Sequence, residues 1–180
     1  AALPRLRREF RRADIIHALD GYPYGVIAAI AGLGLGKNLV ITAIGTGALQ
    51  PLGRPLAGRF LRWAYRRAER LVAVSRYTAA ELQREVPGLT VSTVINHGVD
   101  TDEFPPSGPV PSAVAALEPF ILSVGAIKPR KGYADSLRAF GAIRQSFPDL
   151  RYVIVGSGER AALEREIAEA GVPRGAVVVF

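Results

Sequence analysis

Three cations, Lys128, Arg130 and Lys131, stand in a loop bounded by Gly125 and Gly132, directly after the apolar run Phe120-Ile121-Leu122-Ser123-Val124. An amphipathic stretch from Tyr133 to Phe147 follows at once. A strand that feeds a helix through such a loop can hold an anion, because backbone N–H groups and the positive helix end converge with ammonium and guanidinium groups on one spot. The pattern recurs where Arg151-Tyr152-Val153-Ile154-Val155 runs into Gly156-Ser157-Gly158-Glu159 and a second helix-forming stretch. Two such units in tandem point to a phosphate-bearing cofactor or donor at the edge of a parallel sheet. Its expected binding residues are Gly125, Arg130, Lys131, Gly132, Gly156 and Gly158.

These loops require a sheet to carry them. Short β-branched runs alternate with helical patterns along the whole chain, which predicts an α/β protein with parallel strands. Strands are expected at Asp14–Ala18, Leu39–Ala43, Leu71–Val74, Val91–Ile95, Phe120–Val124, Arg151–Val155 and Ala176–Phe180. Helices are expected near Leu3–Arg12, Tyr24–Ala31, Pro55–Glu69, Thr78–Glu85, Tyr133–Phe147 and Glu159–Ala170. The interval from Asp100 to Pro119 breaks this rhythm with Pro105, Pro106, Pro109, Pro111 and Pro119, a composition typical of a connection between lobes. The reading is therefore a later part of one Rossmann-like domain at residues 1–99, a linker at 100–119, and the first part of a second Rossmann-like domain at 120–180. Each half has fewer strands than the roughly five or six of a complete doubly wound domain. The expectation is a piece that straddles the junction of two such domains.

Composition narrows the function classes. The 180 residues are 49% hydrophobic and 22% charged, as in soluble globular proteins. Cysteine is absent, which removes a disulfide framework and thiolate metal ligation and suits a cytoplasmic protein. The most apolar stretch, Tyr24 to Gly36, is shorter than the roughly 20 residues of a membrane span and reads as a buried helix. Net charge is +7, unevenly placed: residues 1–76 carry 13 Lys and Arg against 4 Asp and Glu, whereas residues 77–180 carry 10 against 12. Such asymmetry suits anionic lipid, nucleic acid or a phosphorylated substrate, with a solvated cationic helix face as the plain alternative. Nucleic acid is not expected, because the sequence lacks aromatics interleaved on a sheet platform. The helix from Pro55 is expected to place Arg59, Arg62, Arg66 and Arg70 near one face, with Leu56, Phe60 and Trp63 elsewhere. That arrangement suits peripheral contact with the inner face of an anionic membrane.

Rival constellations fail on spacing or context. Gly32-Leu33-Gly34-Leu35-Gly36-Lys37 would need glycine at Ala31 and a hydroxyl at Asn38 to form a phosphate-binding loop, and it precedes a strand rather than a helix. Gly156-x-Gly158-x-x-Ala161 matches the loose dinucleotide fingerprint in a strand–turn–helix context. Asp100-Thr101-Asp102 has the form of a metal-binding pair but opens the Pro-rich interval. His17 and His97 lack ligand spacing, so no metal site is expected; His17, ending an apolar run, reads as a core histidine. No Gly-x-Ser-x-Gly elbow surrounds Ser75, which leaves a hydrolase triad without support.

Several stretches, taken in order, resemble family 4 of the retaining glycosyltransferases, which have the GT-B architecture of two facing Rossmann-like domains. They are Asp14-Ile15-Ile16-His17-Ala18, Leu71-Val72-Ala73-Val74-Ser75 with Thr78-Ala79-Ala80-Glu81-Leu82, Val94-Ile95-Asn96-His97-Gly98-Val99-Asp100, the Gly125–Gly132 loop and the Gly156–Gly158 turn. The resemblance implies transfer of a sugar from a nucleotide-diphosphate donor to a glycan, lipid-linked or small-molecule acceptor, with retention and without a bound metal or other cofactor. It puts the donor on the C-terminal lobe, where Lys131 matches the lysine of a basic pair whose arginine is replaced by Ala126. It puts the acceptor on the N-terminal lobe, where Asp20, Gly45, Thr46, Ser75 and His97 are candidates. Leu19 and Ile44 replace family histidines, and the family's Glu-x7-Glu motif would fall after Phe180. The expectation for these 180 residues alone is an inactive piece with exposed apolar sheet edges. A nicotinamide-dependent Rossmann oxidoreductase using the Gly156 turn and a non-catalytic nucleotide-binding module stand as alternatives.

Overall fold

The computed structural model describes residues 2–105 and 107–180. Pro106, one of the prolines of the interval read as a linker, lies outside the described residues, as does Ala1. The chain divides into two compact units, residues 1–104 and 105–180.

Unit 1 runs α1 (Ala2–Arg12), β1 (Ile15–Leu19), an irregular turn (Gly21–Gly25), α2 (Val26–Ala31), β2 (Asn38–Ala43), α3 (Gly45–Leu49), α4 (Pro55–Arg67), β3 (Arg70–Ala73), α5 (Arg76–Glu85) and β4 (Thr93–Val94). Its four strands are parallel in the order β1-β2-β3-β4. Because the order is sequential and crossovers in parallel sheets are right-handed, successive helices return on the same face. The register confirms which face that is. Ile16 lies beside Leu39, Ala18 beside Ile41, Ile41 beside Leu71 and Ala43 beside Ala73, and all of them are buried. Leu61, Ala64 and Tyr65 of α4 and Leu82 of α5 complete that core. On the opposite face of β1, Ile15 and Leu19 are 58% and 61% exposed.

Unit 2 repeats the plan with α6 (Ser112–Ala115), β5 (Phe120–Val124), α7 (Tyr133–Arg144), β6 (Arg151–Val155), α8 (Arg160–Glu169) and β7 (Val177–Val179). Its sheet order is β5-β6-β7, again parallel. Tyr152 and Ile154 pack with Tyr133, Leu137 and Phe140 of α7 and Leu163 and Ile167 of α8. Leu122, Val124 and Val155, on the other face, are exposed.

Four expectations need correction. The helix begun at Pro55 ends at Arg67, so Arg70 is the first residue of β3 and not part of a four-arginine helix face. The Tyr24–Gly36 stretch is helical only from Val26 to Ala31 once the turn ends; Gly34 and Gly36 then take positive φ, and Tyr24 is 60% exposed. His17 is no core histidine: it is exposed, with Nε2 2.8 Å from the Thr42 hydroxyl oxygen. The strand expected at Val91–Ile95 is reduced to Thr93–Val94, where pairing to β3 is confined to two register positions.

Arg7 shows that part of the basic surplus has structural work. Its guanidinium donates to the carbonyls of Ala31 and Leu33, at 2.8 and 2.9 Å, and so satisfies the open C-terminal end of α2. On α4, burial separates the two kinds of residue: Leu61 is fully buried and Leu56 is 69% exposed. Leu61→Ala is expected to lower the stability of unit 1 by about 2–5 kcal/mol. Leu56→Ala is expected to stay within about 0.5 kcal/mol. Urea denaturation followed through Trp63, the single tryptophan, measures both.

Candidate functional site

The donor-side residues gather at the C-terminal ends of β5 and β6. β5 ends at Val124, and the N–H of Gly125 still donates to Val155 O at 2.9 Å, so the first turn leaves the sheet in register with the second. Ile127 N–H then donates to Ser157 O at 2.9 Å and Glu159 N–H to Ile127 O at 3.2 Å, which forms a parallel bridge between Ile127 and Gly158. Side chains would prevent this approach. A Cβ at Gly156 would lie 2.0 Å from Gly125 O, and one at Gly158 would lie 2.3 Å from Ile127 O. Gly132, in the left-handed region at φ 71°, ends the short helix Pro129–Lys131 and starts α7.

The structure brings Gly125, Lys131, Gly132, Gly156 and Gly158 into one constellation. The Lys131 side chain folds back over Gly125: a Cβ built there would lie 3.6 Å from its Cε and 3.7 Å from its Nζ. Lys131 is exposed and forms no ion pair among the described residues. Arg130 is exposed on the same short helix, and no described contact draws it to the glycines. An exposed ammonium beside the Gly125 turn can meet an anion without first breaking a salt bridge.

The N-terminal candidates form a different arrangement. Asp20 follows β1 with φ 95° and ψ 154°, the only non-glycine residue with positive φ among the described residues, in a sparsely populated region. Its Oδ1 accepts from Gly21 N–H at 2.7 Å and, at the longer distance of 3.4 Å, faces Ile44 N–H. A Cβ at Gly47 would fall 2.0 Å from Asp20 Oδ2. Asp20 therefore joins the turn after β1 to the turn after β2. Tyr65 supports this from below, donating to Ala48 O at 2.8 Å, while burial and then the charge of Asp20 push its phenol pKa well up.

Gly45 and Thr46 open α3 and line a groove of about 610 Å³ opposite Tyr77, Thr78, Glu81 and Arg84 of α5. The Ser75 hydroxyl is engaged locally: it caps α5 by accepting from Thr78 N–H at 3.0 Å and lies 2.9 Å from Thr78 Oγ1. His97 is exposed in the stretch after β4, and no described contact links it to Asp20. Asp100 closes its own turn by accepting from the N–H groups of Asp102 and Glu103. Among the described residues no three His, Cys, Asp or Glu side chains gather in a metal-binding group. No described helix is long and apolar enough to cross a membrane.

Sequence reasoning missed Gly47 and Tyr133. Gly47 sits in an evident Gly-Thr-Gly stretch, but its partner is 27 positions away and only tertiary structure reveals the contact. Tyr133 is the first residue of α7, and its hydroxyl donates to Gly125 O at 2.9 Å. A bulky phenol directly after the glycine that starts a helix was the available signal.

Comparisons with known proteins bear on the family and the fold. The family model described as Glycosyltransferase Family 4 matches residues 1–103, and the one described as Glycosyl transferases group 1 matches residues 111–179. The 2-deoxystreptamine glucosyltransferase of Streptomyces kanamyceticus is 28% identical over 190 residues, covering 93% of this chain and 48% of that enzyme. The GDP-mannose-dependent alpha-(1-6)-phosphatidylinositol monomannoside mannosyltransferase of Mycolicibacterium smegmatis is 32% identical over 130 residues, covering 66% of this chain and 32% of the relative. The chain thus spans about half the length, or less, of these curated relatives. The crystal structure of Anabaena HepE in complex with UDP and glucose superposes with a TM-score of 0.71 at 18% identity, over 99% of this chain and 50% of that one. At that identity the likeness is one of fold: two parallel-sheet domains of GT-B type, of which this chain holds an incomplete share.

The glycine contacts make a direct forecast. Gly156→Ala is expected to cost unit 2 about 1–3 kcal/mol or more, because its obstacle is a backbone carbonyl that no rotamer change removes. Gly175→Ala, with nothing within 4 Å of the added Cβ, is expected to stay within about 0.5 kcal/mol. Native-state hydrogen exchange of the β5 and β6 amides compares the two.

Proposed function

The chain belongs to glycosyltransferase family 4, and on that premise we propose that the full-length protein transfers a sugar from a nucleotide-diphosphate donor to an acceptor hydroxyl with retention of configuration. The anomeric carbon–oxygen bond to the diphosphate breaks, and the acceptor oxygen bonds to the same face of the sugar. The acceptor's proton passes to the diphosphate oxygen that leaves. Unit 2 is the donor side and unit 1 the acceptor side. No bound metal is invoked.

The observation that carries this reading is the Lys131 ammonium folded over Gly125, at the end of β5. Leaving-group departure concentrates negative charge on the diphosphate, and a fixed cation with preoriented amides stabilises that charge with little reorganisation. Ala126 leaves the second cation of the family's pair unsupplied, so Lys131 carries more of the electrostatic work. The 2-deoxystreptamine and phosphatidylinositol monomannoside acceptors named for the relatives differ widely. Asp20, Gly45 and Thr46 are the acceptor-side candidates, since ligands of α/β sheets gather at the carboxyl ends of strands.

Titration of the full-length protein with UDP, GDP and NAD tests the reading. Saturable binding of a nucleoside diphosphate is expected. Lys131→Ala is expected to weaken it about tenfold or more, the scale of a lost charged hydrogen bond, and Ala126→Arg to strengthen it. Saturable binding of NAD with indifference to UDP and GDP would replace transfer by nicotinamide chemistry.

A peripheral membrane contact has its own support. Tyr22, Val26, Ile30, Leu56 and Phe60 line an apolar groove of about 650 Å³ with Arg54 at its margin. Phe60 is 44% exposed, and Arg59 is exposed beside it on α4. Apolar side chains framed by arginines match an anionic bilayer, which accepts both. Sedimentation with phosphatidylglycerol vesicles is expected to capture the protein, and phosphatidylcholine vesicles to capture it less. Combined Arg54→Glu and Arg59→Glu substitutions are expected to abolish the difference, and equal capture by both vesicles in the unaltered protein counts against the contact.

A further inference from the structure

The peptide between Gly125 and Ala126 is held from one side. Gly125 O accepts from the Tyr133 hydroxyl at 2.9 Å and faces Gly156, where even a methyl group would collide with it. This peptide is trans, since the cis bonds all precede proline, and a trans peptide directs its C=O and N–H in opposite directions. With the carbonyl turned toward Gly156 and Tyr133, the Ala126 N–H is turned away from both. It has no acceptor among the described residues, although its neighbours Gly125 and Ile127 both donate to the β6 side. Lys131 Nζ lies over the same glycine.

We propose that Tyr133 is a positioning residue, which fixes the Gly125–Ala126 peptide so that the Ala126 N–H donates to a phosphate oxygen of a bound nucleoside diphosphate. The assignment rests on the donor-site reading above and names the group that completes it. An amide at a glycine can rotate at low cost, and a rotated peptide would present its carbonyl, repelling the phosphate instead of binding it. Tyr133 opposes that rotation from within the core. It is 5% exposed, packs in the cluster with Leu137 and Phe140, and reaches outward only through its hydroxyl. Burial and then Tyr152 push the phenol pKa up, so the donor stays protonated at neutral pH. Since Ala126 offers no cationic side chain, its main-chain N–H is what this position contributes to the anion. Hydrogen bonds from N–H to charged oxygens are stronger than neutral ones.

Tyr133→Phe in the full-length protein keeps the ring and removes the hydroxyl. UDP and GDP are titrated beside uridine and guanosine, which lack phosphate. The expected result is a loss of about threefold to tenfold in diphosphate affinity, with nucleoside affinity unchanged. Unaltered diphosphate affinity overturns the proposal, and so does an equal loss for nucleoside and diphosphate, which is the mark of general loosening. A second measurement needs no variant: with alanine selectively labelled with ¹⁵N, saturation with the diphosphate is expected to move the Ala126 amide resonance downfield, and a stationary resonance overturns the proposal. Absence of any UDP or GDP binding by the unaltered protein overturns the donor-site reading and this assignment together. Diphosphate binding that ignores Tyr133→Phe overturns this assignment alone.

Discussion

Where β5 and β6 end, the backbones of two successive turns come closer than any side chain permits, and the donor-side geometry depends on that approach. Gly156 has no Cβ, so the Gly125 carbonyl can turn inward; Gly158 has none, so Ile127 can bridge to it. The inward carbonyl sets the direction of the next amide, and the Lys131 stem packs over Gly125 at van der Waals distance. Unit 1 uses a related device. There the close neighbour of the glycine is a carboxylate rather than a carbonyl, and Gly47 yields the space that lets Asp20 span two turns. In both units a missing side chain at one strand end lets the neighbouring turn place a polar group.

Topology explains the distribution of apolar surface. A sequential strand order with right-handed crossovers covers one face of each sheet with helices and leaves much of the other exposed. Alternation along the strands then divides each one. Ile16 and Ala18 enter the core while Ile15, His17 and Leu19 remain outside; in β6, Tyr152 and Ile154 enter the core, and on the other face Val155 is exposed while Val153 is buried. The exposed residues are therefore not scattered surface hydrophobics. They are the second face of sheets that are apolar on both sides, as parallel sheets normally are.

Much of the architecture was legible because strands and helices here differ in composition. β5 and β6 were read to the residue, since β-branched runs stop at glycine. α4 is shorter than its sequence suggests: Ala68, Glu69 and Arg70 continue a helical pattern, but the backbone turns extended at Ala68, with φ −66° and ψ 129°. α3 was not foreseen, because Gly45-Thr46-Gly47 reads as a breaker. What holds that short helix is tertiary: Ala48 is fully buried, and its carbonyl is tied to Tyr65. The grouping of the glycines at the ends of β5 and β6 with Lys131 was visible as local spacing. The Asp20–Gly47 contact and the Tyr133 hydrogen bond were not, because each joins residues from separate turns.

The two cationic regions obey different physics. In unit 1 most cations of α1 and α4 are exposed, and their pull on a charged surface is a summed field that salt reduces within about 10 Å at 0.1 M. In unit 2 the constellation is one folded lysine and a few oriented amides, whose effect is confined to hydrogen-bond distance and survives screening far better. A broad field suits attachment to an extended partner, where orientation matters less than total charge. A short-range cradle suits a reacting phosphate, for which the direction of each donor decides whether charge is stabilised as it develops. For the proposed transfer the glycines therefore matter more than the count of arginines does, because they determine where the few N–H groups point.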